Sequence, residues 1–126
     1  MKELKISTHQ KIELIDITEA VEKEIDKSAK AILVFVPHAT AGILINENEE
    51  NLKTDFIRFF EKISSLGPFQ HDKIDNNAAS HLGASFIGQS VVLPLESGRL
   101  KLGTWQRVFL VELDGPRERK IIIENL

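Results

Sequence analysis

Apolar positions follow three patterns along this chain, and each predicts a different element. Leu4-Lys5-Ile6-Ser7-Thr8-His9 and Lys11-Ile12-Glu13-Leu14-Ile15-Asp16 alternate apolar and polar residues, which predicts two half-buried strands. Their closeness in sequence predicts a hairpin. Ala31–Val36 and Ala41–Ile45 are unbroken apolar runs, the mark of central strands, and Pro37 ends the first. Val91–Leu95, Val108–Leu113 and Arg119–Glu124 predict three more strands. The middle one is almost wholly apolar and therefore buried on both faces, and Asp114-Gly115-Pro116 supplies the turn that follows it.

Helical spacing fills the gaps. Thr18 and Glu19 open a helix reaching about Lys27, with Ala20, Val21, Glu24 and Ile25 on its one modest apolar face. Leu52, Phe56, Phe59, Phe60 and Ile63 recur at helical intervals behind a cap at Asn46 or Asn48. The acidic first turn of Glu47, Glu49 and Glu50 suits the positive helix end, and Gly67-Pro68 stops the helix. Phe69 to Asp75 has no periodicity and reads as a loop. Asn76 or Asn77 caps a last, small-residue helix running to Gly88. Runs of strands broken by separate helices predict one compact α+β domain, with mixed or antiparallel sheets and two to three helices, rather than a doubly wound α/β fold.

Composition narrows the function classes. A chain of 126 residues with 42% hydrophobic residues builds one core without disulfides. It has no cysteine, which removes thiol chemistry and Cys-ligated zinc and suits a reducing compartment. The net charge of -3, with no basic block, gives no support for binding nucleic acid or an anionic membrane. Met1-Lys2-Glu3-Leu4-Lys5 opens straight into an alternating segment, and no apolar run nears the ~20 residues of a membrane helix. A cytoplasmic protein is expected.

Polar residues gather in three segments that the strand and helix patterns do not need. His38-Ala39-Thr40 joins two apolar strands at a strand end, where loops commonly build sites. Asn46-Glu47-Asn48 lies at the mouth of a helix. Gln70 to His81 holds two histidines, two aspartates and two asparagines around a helix start, whose N–H groups and positive potential suit an anion. Neutral imidazole with carboxylate also suits Zn or another divalent ion, although HExxH is absent. Ser97 to Gln106 carries the only tryptophan. An indole beside an amide at a strand entrance can wall a ligand pocket or cap a core.

These blocks resemble the YjbQ family. The similarity runs through His38-Ala39-Thr40-Ala41-Gly42-Ile43-Leu44-Ile45-Asn46-Glu47-Asn48, Asn77-Ala78-Ala79-Ser80-His81-Leu82, Gly98-Arg99-Leu100, Gly103-Thr104-Trp105-Gln106 and Asp114-Gly115-Pro116-Arg117-Glu118-Arg119. The Gly-Thr-Trp-Gln block is the specific one. The resemblance implies a compact α+β domain, a homotrimer, and a secondary thiamine-phosphate synthase activity joining a pyrimidine diphosphate to a thiazole phosphate. Two positions depart from the family pattern: Asn76 replaces a usual Gly, and Asp75 stands where two adjacent acids are common.

For such a reaction His38, His71, His81, Glu47 and Asp75 are the candidate catalytic groups. His38, His71, His81 and Asp72 are the candidate ligands of a divalent ion, Zn or Mg. Thr40, Asn46, Asn76, Asn77, Arg99, Trp105 and Gln106 are the candidate ligand-binding residues. Arg99 acts with Lys101 on phosphate, Trp105 stacks on a heterocycle and Gln106 reads its edge. The same pocket in a non-enzymatic trimeric ligand- or metal-binding protein is the alternative.

Overall fold

In a computed structural model describing residues 1–126, the chain forms eight strands and three α-helices. In chain order these are β1 (Lys2–Ser7), β2 (Glu13–Asp16), α1 (Thr18–Glu22), β3 (Ala31–Phe35), β4 (Ala41–Glu47), α2 (Glu50–Glu61), α3 (Ala78–Ile87), β5 (Ser90–Glu96), β6 (Arg99–Leu100), β7 (Gln106–Glu112) and β8 (Glu118–Asn125). A 3₁₀ segment, Lys62–Leu66, extends α2. The expected α+β domain is present, and every strand pairing is antiparallel.

Two sheets divide the strands: β1-β8-β3-β5-β6 and β2-β7-β4. Between them lies a core of Ile32, Val34, Leu93, Ile121 and Ile123 from the first sheet and Ala41, Ile43, Val108 and Leu110 from the second. The other face of the three-stranded sheet carries α2 and α3, where Val111 and Leu113 pack with Phe60 and Ala84. Strand β7 is thus the middle of three layers. Its successive side chains serve opposite cores, so an unbroken apolar run is what the position demands.

Four expectations are corrected. The two alternating strands form no hairpin: β1 pairs with β8 and β2 with β7, in different sheets. Period-two alternation fits an edge position in either sheet and does not choose the partner. Helix α1 stops at Glu22, short of Lys27, because the Glu24 carbonyl is taken by Lys2 Nζ and Asn125 Nδ2 and the Asp26 N–H donates to Asn125 Oδ1. Neither Asn46 nor Asn48 caps α2. Asn46 continues β4 and Asn48 donates to Asp16, while the Glu49 carboxylate accepts from the N–H groups of Asn51 and Leu52. The segment expected to be a loop holds a 3₁₀ turn, Gln70–Lys73.

Candidate functional site

The turn between β7 and β8 is built on a buried charge pair. Glu112 and Arg119 are 0% and 1% exposed, and the guanidinium meets both carboxylate oxygens. Arg119 Nη2 also donates to Thr40 Oγ1 at 2.9 Å and to the Thr40 carbonyl at 3.2 Å. Thr8 Oγ1 donates to Glu112 Oε1 at 2.7 Å. Every buried polar side-chain atom has a partner, which is the condition for holding two charges in a dry interior. Burial pushes the Glu112 carboxyl up, but Arg119, Thr8 and the Asp114 N–H outweigh it and hold the group below its ordinary value.

Arg119 of this pair lines the floor of an open hollow of about 540 Å³, with Glu112 buried beneath it. His38 and Thr40 reach it from the β3–β4 connection, Asp75, Asn77 and His81 from the start of α3, and Asp114 and Arg117 from the β7–β8 turn. His38 Nε2 accepts the Lys120 N–H at 3.0 Å, so the neutral ring carries its proton on Nδ1. Burial, then the charges of Arg119, Arg117 and Lys120 against that of Glu112, lower its pKa and keep it neutral.

A second relay runs through Asn77. Its Nδ2 donates to Asp114 Oδ2 at 3.0 Å, which fixes the amide so that Oδ1 accepts from His71 Nε2 at 2.9 Å. The His71 ring stands edge-on to His81, with centroids 4.7 Å apart. Asp114 is raised by burial and lowered more by Asn77, Lys11 and Arg117, so it stays ionised. Asn77 occupies the cap position of α3 without capping it. Asp72 Oδ1 does so from upstream, accepting the Ala78 N–H at 2.9 Å. The positive end of α3 thus already holds an anion of the chain itself. Asn76, with φ 50°, supplies the left-handed turn that precedes it, a conformation Asn tolerates better than most residues.

The expected site residues therefore divide between two places. His38, Thr40, Asp75, Asn77 and His81 line one hollow, with His71 and Asp72 bonded just behind it. Asn46, Glu47 and Gln106 lie at the other end of the β4–β7 ladder, where Glu47 faces Gln106 while Ala41 faces Glu112. Six residue steps separate those ends, roughly 20 Å at the rise of an extended strand. There a second hollow, about 480 Å³, is lined by Arg99, Lys101, Gln106, Arg107 and Thr18, and Trp105 projects beside it 71% exposed. Each cation in it meets an acid: Arg99 with Glu22, Lys101 with Glu96, and Arg107 with Asp16 and Glu19.

A divalent ion finds no ready seat within one chain. No three His, Asp or Glu side chains are placed to hold one together. Three of the four expected ligands each have one atom engaged elsewhere, His38 Nε2 on Lys120, His71 Nε2 on Asn77 and Asp72 Oδ1 on α3, whereas His81 stands edge-on to His71. Sequence reasoning missed Glu112, Asp114, Arg117 and Arg119 as parts of the site. A glutamate inside the apolar run Val108–Leu113, with arginines just across the turn, was the available signal.

Fold and hollow together define a small α+β domain with an imidazole- and arginine-lined depression at the end of a β-sheet. The chain belongs to the family described as UPF0047 protein YjbQ-like, which matches residues 2–126. It is 45% identical over 125 residues to a UPF0047 protein of Archaeoglobus fulgidus, covering 98% of this chain and 99% of that one. It is 40% identical to UPF0047 protein YugU of Bacillus subtilis, covering 100% and 98%. Among solved structures, a YbjQ-like protein of Sulfolobus solfataricus superposes with a TM-score of 0.87 at 43% identity, covering 97% and 92% of the two chains. A YjbQ/UPF0047 family protein of Clostridium acetobutylicum gives 0.93 at 37% identity over the whole of both chains.

Proposed function

We propose that the hollow at the His38 end binds the phosphorylated part of a small heterocyclic substrate, and that the protein is a cytoplasmic homotrimeric transferase of the thiamine-phosphate synthase type. One observation carries the reading: His38, His81 and Arg117 share a hollow whose floor is the buried Arg119, and Arg117 is half exposed. Imidazole and guanidinium N–H groups are the donors that phosphate oxygens take. In the reaction a thiazole nitrogen lone pair forms a bond to the pyrimidine methylene carbon. The carbon–oxygen bond to the diphosphate breaks, and its electron pair leaves on pyrophosphate. No enzyme nucleophile is required. The chain's task is to neutralise the leaving group and orient the ring, and the Asp114–Asn77–His71 relay holds the imidazole pair in place for it.

A second reading, ligand binding without turnover, is favoured by one feature: both arginines of the hollow are already paired with carboxylates, Arg117 with Asp114 and Arg119 with Glu112. Calorimetry with pyrophosphate and a chromatographic assay for thiamine phosphate separate the two. Binding and product formation, both lost on His81→Ala, support the transferase. Binding alone supports the second reading, and neither one refutes both. Light scattering at a single-chain mass of 14.2 kDa would remove the trimer.

A further inference from the structure

Two apolar features of this surface have no partner inside the chain. The first is a groove of about 330 Å³ lined only by Phe59, Ile63, Leu66, Phe69, Leu82 and Phe86. Phe86 is 81% exposed, Leu66 76% and Phe59 58%. Together they present roughly 400–500 Å² of contiguous apolar surface, the upper end of what a monomer carries. The second is Trp105, at the far end of the three-stranded sheet. Its turn is fixed, because Gln106 Oε1 accepts the Gly103 N–H at 2.8 Å and the Gln106 N–H donates to the Gly103 carbonyl at 3.1 Å. A large aromatic on a rigid turn is the usual form of an interface anchor.

Unpaired charges of opposite sign lie beside the two features, although Asp55 and Glu61 of α2 are unpaired as well. Arg58 and Lys62 flank Phe59 on its helix and meet no carboxylate, while Glu47, facing Gln106 beside the tryptophan turn, meets no cation. The area fits as well. An interface side of about 800 Å² that is roughly 60% apolar needs an apolar patch of about the size this groove presents. We propose that Trp105 of one copy seats in the Phe59–Phe86 groove of the next. The two surfaces differ, so the contact is head-to-tail and repeats around a closed ring.

The contact also joins the two halves of the candidate site. Leu82 follows His81, and Phe69 lies two residues before His71, so the groove borders the imidazole pair. A neighbour's Trp105 seated there carries its hollow of Arg99, Lys101 and Gln106 to the same edge. The ligand site is then assembled from two copies. This second step rests on the phosphorylated-ligand reading above, whereas the docking itself does not.

Trp105 is the only tryptophan, so its fluorescence reports this contact alone. Phe86→Glu keeps the indole and spoils the groove; Trp105→Ala keeps the groove and emits nothing. Both positions are exposed, so each variant is expected to fold, checked by circular dichroism, and to run as a single chain. Mixing the two restores one intact contact, and the Phe86→Glu emission shifts to the blue with saturation. The wild type is expected to show blue-shifted emission that iodide does not quench. No shift on mixing, a monomeric wild type, or a wild-type assembly with a quenchable tryptophan each overturns the docking. Inorganic pyrophosphate is the probe for the shared site: each variant alone is expected to bind at least tenfold more weakly than wild type, and the mixture to recover binding. Separated variants that bind pyrophosphate as well as wild type overturn the shared site. Normal docking with no pyrophosphate binding by any form overturns the ligand reading and leaves the contact standing.

Discussion

Arg119 and Glu112 are seven residues apart in sequence and meet, fully buried, across the Asp114-Gly115-Pro116 turn. The pair ties β7 to β8, and through Thr40 and Thr8 it also ties both sheets to the floor of the hollow. Removing one partner leaves an uncompensated charge in a dry site, so Arg119→Met is expected to cost about 3–5 kcal/mol in urea unfolding. Adding Glu112→Gln to that variant removes the stranded charge and should recover a large part of the loss. The folded carboxyl titrates below its ordinary 4.5, so its contribution is complete above that pH and falls away as pH drops through the folded value. Glu112→Gln should flatten the acid limb of stability against pH. An unchanged acid limb would mean that the pair does not stabilise the fold.

His38 titrates in the opposite chemical sense but with the same pH dependence. Burial and nearby cations lower it from 6.5, and protonation also removes the acceptor for the Lys120 N–H. The unfolded chain takes up the proton first, so stability falls as pH drops below about 6.5. Proton NMR of the His38 ring should give a midpoint below that value. A midpoint at or above it would show that the Lys120 bond is not kept in solution.

Asn77→Asp tests the relay. It sets a second carboxylate where the amide now donates to Asp114 at 3.0 Å, and should cost about 1–3 kcal/mol at pH 7. One acid of the new pair then titrates above its ordinary range, so folding takes up a proton and the deficit narrows between pH 7 and pH 5. Asn77→Ala, which adds no charge, should show no such narrowing. Equal urea midpoint gaps at both pH values in Asn77→Asp would exclude the contact.

Much of this architecture was legible because each layer leaves its own period. The double-sided burial of β7 is written in Val108–Val111, and the span of α2 in the Leu52–Phe60 spacing. Partner choice was not legible. The alternation of β1 and β2 fits either sheet, and only the layering sends one to β8 and the other to β7. For the candidate site, histidines stand out by chemistry, which is why His38, His71 and His81 could be named from the sequence. Glu112 inside an apolar run was a signal of burial, but nothing in the sequence pairs it with Arg119 rather than with Arg117. The separation of Trp105 and Gln106 from the histidines depends on strand register, which composition does not encode.

Gly115 provides the sharpest test of the turn on which the site rests. A Cβ there would lie 2.3 Å from the Gln10 carbonyl oxygen, 2.8 Å from Glu112 Cγ and 2.9 Å from Thr8 Oγ1. The first of these is backbone and cannot swing aside, while the other two belong to the buried network. Gly115→Ala must therefore open the Thr8–Glu112 hydrogen bond or displace the turn, adding overpacking of about 1–3 kcal/mol to a buried polar loss of similar size. Gly98 is the control. It has φ +74° and open space around it, so Gly98→Ala meets backbone strain alone, about 1–2 kcal/mol. Urea denaturation should place Gly115→Ala well below Gly98→Ala. Because the turn carries Asp114 and Arg117, pyrophosphate affinity should fall with it. If both alanines cost the same, Gly115 matters only for its backbone freedom, and the network beneath the hollow is not the constraint that fixes this turn.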